Sequence, residues 1–89
     1  MIRRHIRVTG RVQGVFFRDS LRRRARSEGV AGWARNSPNG SVEVVLEGDP
    51  AAVERLIDFC RIGPDGARVD GVEAQEERPE GLTEFEIKP

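Results

Sequence analysis

Residues 10–18 read Gly10-Arg11-Val12-Gln13-Gly14-Val15-Phe16-Phe17-Arg18 and join an alternating strand pattern to a helical pattern. Gly14 can adopt a positive φ and lets other atoms approach the backbone closely. The first N–H groups of a helix lack intrahelical partners and carry the positive end of its dipole. A glycine-bearing loop leading into a helix therefore predicts an anion site, and the guanidinium of Arg18 suits phosphate oxygens. The same pattern is also typical of an ordinary tight turn.

Strand and helix patterns continue along the rest of the chain. Alternating apolar residues predict strands over residues 3–9, 31–37, 41–47, 67–76 and 83–88. The spacing of apolar residues predicts a first helix over residues 17–28. A second helix is predicted to begin at Pro50 with Asp49 as its N-cap, and to end at Gly63-Pro64.

The order β-α-β-β-α-β plus a short terminal strand indicates an α+β fold of the ferredoxin-like split-βαβ type. We expect an antiparallel sheet with both helices on one face, strand order 4-1-3-2, and the terminal strand beside the second strand. Val69 and Val72 have opposite parity around Gly71, which predicts a bulge in the fourth strand. Because the first two strands are parallel in this fold, the 10–18 loop and Asn36 should meet at one sheet edge. Two strand spacings separate them by ~10 Å, which suits a phosphoryl group.

Length and composition indicate a single domain and exclude several kinds of site. We expect one domain over residues 1–89, because 89 residues suit a single core. Cys60 is the single cysteine, which excludes an intrachain disulfide and a cysteine-based zinc site, and its apolar helical stripe favours a buried structural thiol. His5 stands on a polar strand face with nothing at ligand spacing, so no metal role is indicated. The N-terminal pattern indicates neither a signal peptide nor a membrane span, so we expect a cytoplasmic protein.

Charge is unevenly distributed although the net charge is zero. Residues 1–45 carry ten arginines and three acidic residues, whereas residues 46–89 carry five basic and twelve acidic residues. A basic half can attract an anionic ligand. The alternative is that the two halves interleave in one fold and neutralise each other. The arginines at positions 22–26 can contact nucleic acid, but such a cluster is more often a solvated helix face.

Two stretches together resemble the acylphosphatase family. Residues 10–18 match that family's Gly-x-Val-Gln-Gly-Val-x-Phe-Arg motif throughout. Its second signature is matched by Gly32-Trp33-Ala34-Arg35-Asn36-Ser37-Pro38-Asn39-Gly40-Ser41-Val42, with Gly48 following. Asn39 stands where many members have Asp. Length, element order and the closing Phe-x-Ile pattern also fit, so the resemblance covers essentially the whole chain.

The resemblance implies an enzyme that hydrolyses the carboxyl–phosphate anhydride bond of acyl phosphates, without metal or organic cofactor. It makes Arg18 and Asn36 the catalytic residues, with Asn36 positioning the attacking water. It assigns phosphate binding to Arg18 and to the loop amides of Gln13, Gly14, Val15, Phe16 and Phe17. The chemistry agrees with these residue types, because a carboxylate leaves without protonation and needs no general acid. By itself, Asn36 at a strand end is more typical of an Asx turn than of a catalytic residue, and Trp33 is more typical of packing than of substrate contact.

We expect a monomer whose ligands are a small-molecule acyl phosphate and inorganic phosphate, the latter as product and competitive inhibitor. No membrane or nucleic-acid partner is expected. Nucleic-acid binding is disfavoured because the chain has no RNA-binding aromatic strand motif, no Tyr and zero net charge. A further alternative is a non-catalytic anion-binding domain, like those that open larger carbamoyl-transfer proteins. We expect the enzyme instead, because no catalytic domain follows Pro89.

Overall fold

The computed structural model describes all 89 residues and contains two helices and five strands. In chain order they are β1 (Ile2–Arg11), α1 (Phe17–Glu28), β2 (Ala31–Asn36), β3 (Val42–Gly48), α2 (Pro50–Ile62), β4 (Arg68–Glu77) and β5 (Phe85–Ile87). This order confirms the predicted α+β ferredoxin-like fold. Strand ends differ from the predicted ones by one or two residues at most places, and β5 is shorter than the predicted 83–88.

Both helices begin and end at the predicted signals. α1 ends at Gly29, which has a φ of 70° and lets the N–H of Val30 return to the last turn, 2.9 Å from the carbonyl of Ala25. α2 begins after Asp49, whose carboxylate accepts from the N–H groups of Ala51 and Ala52 at 3.1 and 3.3 Å. Local capping chemistry therefore marks the end of α1 and the beginning of α2.

The five strands form one sheet in the order β4-β1-β3-β2-β5, as predicted. The expectation of an antiparallel sheet is wrong in one respect, because β5 runs parallel to β2 and makes the sheet mixed. The reason is the path of the chain. β4 ends opposite the beginning of β1, where Glu77 pairs with Arg3. The segment 78–84 crosses the sheet at that edge, so β5 starts there and runs in the direction of β1 and β2.

A buried carboxylate fixes this crossing segment. Glu47 of β3 accepts from the N–H groups of Glu80, Gly81 and Leu82 at 2.8, 3.1 and 3.0 Å. Nη1 of Arg3 donates to the same carboxylate at 2.7 Å. Burial raises the pKa of Glu47, but these hydrogen bonds outweigh burial and hold it below its usual value. Here the basic and acidic halves of the sequence interleave, which is one of the two predicted outcomes.

The predicted bulge is present in β4. Gly10 of β1 lies opposite Val69, whereas the residue before Gly10 lies opposite Gly71. Asp70 is therefore the extra residue in the ladder. A Cβ on Gly10 would lie 2.1 Å from the carbonyl oxygen of Arg68, so this close approach of two strands requires glycine. The bulge sits just before the 12–16 loop, where β1 leaves the sheet.

The core lies between the two helices and one face of the sheet. Its members share full burial and include Ile6, Val8, Leu21, Ala25, Val44, Leu46, Leu56, Ile57 and Cys60. Burial raises the pKa of the Cys60 thiol to about 12, in agreement with its predicted structural role. Neither helix combines the length and apolar character that crossing a membrane requires.

The other face of the sheet carries polar side chains and Trp33. The Trp33 ring meets His5 edge-on at 6.0 Å between centroids, and Nζ of Lys88 lies 4.8 Å from its centroid. His5 itself lies between two carboxylates, those of Glu43 and Glu77. Trp33 therefore packs among charged groups on this face, as predicted, and the helices cover the opposite face.

Candidate active site

The loop between β1 and α1 has an alternating backbone. Gly14 has a φ of 74° and Phe16 a φ of 58°, and Phe16 is the only non-glycine residue with a positive φ. Val15 between them therefore has a negative φ. Such alternation in the sign of φ is typical of loops whose successive N–H groups turn towards one side and bind an anion. The backbone N–H groups of residues 13–19 donate to no other group of the protein.

Phe16 is held in this strained conformation by α1. It is the N-cap of the helix, and its carbonyl accepts from the N–H of Ser20 at 2.9 Å. No side chain caps the helix end, so its first N–H groups face the loop without a partner. A non-glycine residue in the left-handed region costs roughly 1–3 kcal/mol, and such strain is concentrated at functional sites. The helix end and the loop thus form one set of free donors.

Gln13 ties this loop to the hairpin between β2 and β3. Its Nε2 donates to the carbonyl oxygens of Ser37 and Ser41 at 2.8 and 2.9 Å. The sequence predicted only a backbone contribution from Gln13, and its side-chain contact was missed. The contact fixes the distance between the loop and the end of β2, where Asn36 lies.

Arg18 is in the first turn of α1 and is half-buried. Its Nη1 donates to the carbonyl oxygen of Lys88 at 3.2 Å, and it pairs with no carboxylate. The N–H of Lys88 donates in turn to the carbonyl of Ala34 at 2.9 Å, which attaches the C-terminal segment to β2. The guanidinium therefore keeps most of its donors and its full charge for a ligand, while one contact orients it.

Asn36 is the last residue of β2, and its side chain makes no hydrogen bond within the protein. The alternative that Asn36 closes an Asx turn is therefore wrong. Asn39 does so instead, because its Oδ1 accepts from the N–H and the hydroxyl of Ser41 at 3.0 and 2.7 Å. A half-buried amide with no partner is free to bind water or a ligand.

One cavity of about 330 Å³ brings these groups together. It is lined by Val12, Gly14, Phe16, Phe17, Arg18, Asp19, Asn36 and Ile87. Both sequence motifs thus meet at one edge of the sheet, as the topology predicted. Gln13 and Val15 do not line the cavity; the Gln13 side chain reaches the hairpin, and Val15 packs against the core.

Asp19 is the one carboxylate on the cavity wall, which the sequence did not predict. Its Oδ1 accepts from Nη2 of Arg22 at 2.7 Å, and its Oδ2 lies 3.5 Å from Nε of Arg23. These ion pairs engage the carboxylate along the helix surface. The next arginine of the cluster, Arg24, stacks on the ring of Phe59, with its guanidinium carbon 4.2 Å from the ring centroid. Arg22, Arg23 and Arg24 thus each contact another side chain of the protein.

Comparison with known proteins identifies the family. The acylphosphatase family matches residues 4–87 of the chain. The chain belongs to the acylphosphatase family. It is similar to the acylphosphatase of Gloeobacter violaceus, with 56% identity over 86 residues covering 97% of this chain and 92% of that protein. It is similar to that of Thermococcus kodakarensis, with 55% identity covering 97% of this chain and 94% of that protein.

The fold of a solved acylphosphatase is also nearly superimposable. The crystal structure of acylphosphatase from Bacillus subtilis matches with a TM-score of 0.96 at 33% identity, over 100% of both chains. Membership in the acylphosphatase family confirms the resemblance seen in the sequence. The function class is accordingly that of a hydrolase, an acylphosphatase.

Proposed function

We propose that the protein hydrolyses acyl phosphates to a carboxylate and inorganic phosphate by in-line attack of water. Arg18 and the backbone amides of residues 13–18 hold the phosphoryl group, and Asn36 positions the water. The observation that carries the proposal is that free loop donors, the Arg18 guanidinium and the unbonded Asn36 amide border one cavity.

The phosphoryl group is bound by complementary charge. The free N–H groups of the loop and the positive end of α1 favour an anion at the same place. Arg18 adds charge-assisted hydrogen bonds, which are about twice as strong as neutral ones. Because these donors are held by Phe16 and by the Lys88 carbonyl before substrate arrives, they need little reorganisation as charge develops on the equatorial oxygens.

Asn36 supplies orientation rather than acid–base chemistry. Its carbonyl oxygen accepts a hydrogen bond from the water, while its NH₂ group donates a hydrogen bond to a phosphoryl oxygen. The water oxygen forms the new bond to phosphorus, and the bond from phosphorus to the carboxylate oxygen breaks. The carboxylate leaves with that electron pair, and the proton lost by the water passes to a phosphoryl oxygen.

The side chains of the cavity favour this substrate class. An alkoxide leaving group needs a general acid, whereas a carboxylate is stable unprotonated near pH 7 because its pKa is about 4. Asp19 is engaged by Arg22 and Arg23, and the Cys60 thiol is buried elsewhere. The proposed reaction takes its charge stabilisation from the chain itself and uses no metal ion or organic cofactor. His, Cys, Asp and Glu side chains form no group of three or more suited to a metal.

The test follows loss of benzoyl phosphate with the purified protein, with and without EDTA, beside p-nitrophenyl phosphate at equal concentration. We expect hydrolysis of benzoyl phosphate unaffected by EDTA, and little of the monoester. Equal rates on both substrates, or abolition by EDTA, would overturn the proposed mechanism. Competitive inhibition by inorganic phosphate is expected in the same assay. Binding of phosphate without any turnover would favour the non-catalytic anion-binding alternative.

The remaining expectations stay predictions and belong to the same proposal. They are a monomer, a cytoplasmic location and no partner among nucleic acids. A retention shift on size exclusion that changes with protein concentration would contradict the first. A salt-sensitive shift with single-stranded RNA would contradict the last.

A further inference from the structure

Phe16 is an exposed aromatic residue with no packing role. Its exposed fraction is 78%, and it adopts the left-handed conformation that bulky residues avoid. Its position as the N-cap of α1 accounts for the positive φ, but it does not account for a phenyl side chain there. Burial in the core cannot be the reason, because the ring is at the surface. Its other property is that it lines the cavity that holds Arg18 and Asn36.

The cavity has an apolar side that a phosphoryl group cannot use. Phe16 and the half-buried Ile87 of β5 line it, together with the buried Val12 and Phe17. A phosphoryl group presents oxygens in every direction and is served by N–H donors and Arg18. Apolar lining therefore suits the remaining part of the substrate, which the leaving carboxylate carries. Phe16 and Ile87 are the two cavity-lining apolar residues with surface left to cover.

We infer that Phe16 and Ile87 form a contact surface for the acyl group and give the site a preference for apolar, above all aromatic, acyl phosphates. This inference rests on the proposed function. An aromatic acyl group would cover the ring of Phe16 and remove apolar surface of both partners from water. A small acyl group such as acetyl covers little of it. The residues thus determine specificity and take no part in bond breaking.

The test compares pairs of ligands that share the phosphoryl contacts and differ in the apolar part. The variant is Phe16→Asn, because Asn tolerates the left-handed region and keeps the loop backbone. We expect the ratio of kcat/KM for benzoyl phosphate to that for acetyl phosphate to fall about tenfold, the effect of losing one apolar contact. Taking the ratio cancels any effect of the substitution on shared phosphoryl binding. Phe16→Trp should keep the ratio or raise it.

A matched control and a binding assay complete the design. Ile62 is exposed to a similar extent, 75%, at the end of α2 and away from the cavity, so Ile62→Asn should leave the ratio unchanged. Calorimetric affinities for phenylphosphonate and methylphosphonate repeat the comparison without turnover. A ratio within twofold of the wild-type value in Phe16→Asn, in both assays, would overturn the inference. A wild-type protein that discriminates between the phosphonates but hydrolyses neither acyl phosphate would overturn the proposed function alone.

Discussion

Arg18 differs from Arg22 and Arg23 on α1 in having no carboxylate partner. Arg22 and Arg23 both meet Asp19, whereas Arg18 donates only to the carbonyl of Lys88. An arginine held by a neutral acceptor keeps its net charge for a ligand, and an arginine paired with Asp does not. Its free charge and its place on the cavity wall together distinguish Arg18 from Arg22 and Arg23.

Replacing Arg18 with Gln should weaken binding of inorganic phosphate by about 1.5–3 kcal/mol, or about 10- to 150-fold in affinity. Titration calorimetry with phosphate measures this directly. Arg23→Gln is the matched control, since Arg23 lies on the same helix with its side chain 71% exposed, and its phosphate affinity should match the wild type. The reverse pattern would move the anion site to the arginine cluster at positions 22–24.

At the scale of elements, the site depends on contacts that join the loop, the β2–β3 hairpin and the C-terminal segment. Gln13 joins the loop to the hairpin, and Lys88 joins α1 to β2 through its carbonyl and its N–H. Each element supplies one part of the site, and these contacts set the distances between the parts. The loop donors, Arg18 and Asn36 are therefore positioned by Gln13 and Lys88, which lie outside the cavity wall, as well as by the sheet.

Gln13→Met keeps the length of this side chain and removes its two donated hydrogen bonds. Both acceptors keep another partner, because the carbonyls of Ser37 and Ser41 also accept from Gly40 and Ser37. The fold should therefore persist with a loss of about 1–2 kcal/mol. We expect kcat to fall on the order of tenfold, because loss of the tether misplaces Asn36 relative to the phosphoryl group. Phosphate affinity reduced as strongly as kcat would show that Gln13 supports the anion site of the loop and not the distance between that site and Asn36.

Sequence patterns predicted the elements, because these depend on local chemistry, and the order of the elements predicted that residues of both motifs meet at one edge of the sheet. Gly29 and Asp49 cap their helices through backbone groups only a few residues away, and strand alternation is a property of adjacent residues. The direction of β5 was missed because it depends on where the 78–84 segment crosses the sheet, which Glu47 fixes from a distant strand. The contacts of Gln13 with Ser37 and of Arg18 with Lys88 span 24 and 70 residues of sequence, so no local pattern indicates them.

Across the whole molecule, the uncovered face of the sheet carries a histidine that links three strands. Nδ1 of His5 on β1 lies 2.8 Å from Oε2 of Glu77 on β4, and Nε2 lies 2.5 Å from Oε2 of Glu43 on β3. Ionised carboxylates only accept hydrogen bonds, so both contacts form when the imidazole is protonated. Burial lowers the pKa of His5, but the hydrogen bonds with Glu77 and Glu43 outweigh burial and raise it above its usual value.

This shift gives stability a defined pH dependence. The stabilisation from protonated His5 is fully present below the unfolded pKa of about 6.5 and is lost as pH rises through the raised folded pKa. We expect the urea midpoint of the wild type to fall over that range, and the midpoint of His5→Gln to change less. Parallel pH profiles for the two proteins above pH 6.5 would show that His5 does not stabilise the fold as a cation.

Glu43 and Glu77 act in the opposite direction at acid pH. Burial raises the pKa of Glu43, but its hydrogen bonds with His5 and Arg35 outweigh burial and hold the pKa below its usual value. Hydrogen bonds with Arg3 and His5 likewise lower the pKa of Glu77. Their contribution is present above their ordinary pKa and is lost as pH falls through the lowered one. The sheet is therefore expected to be most stable between these two limits.

The decisive measurement is made on Asn36→Ala, with kcat on benzoyl phosphate, affinity for inorganic phosphate and melting temperature taken together. Asn39→Ala is the matched control, because that side chain closes the turn through its two hydrogen bonds with Ser41. If Asn36 positions the water, kcat falls on the order of 10²-fold or more while phosphate affinity and melting temperature stay near the wild type. Asn39→Ala should show the reverse, a lowered melting temperature with kcat retained. A near-normal kcat with a lowered melting temperature in Asn36→Ala would contradict its catalytic assignment.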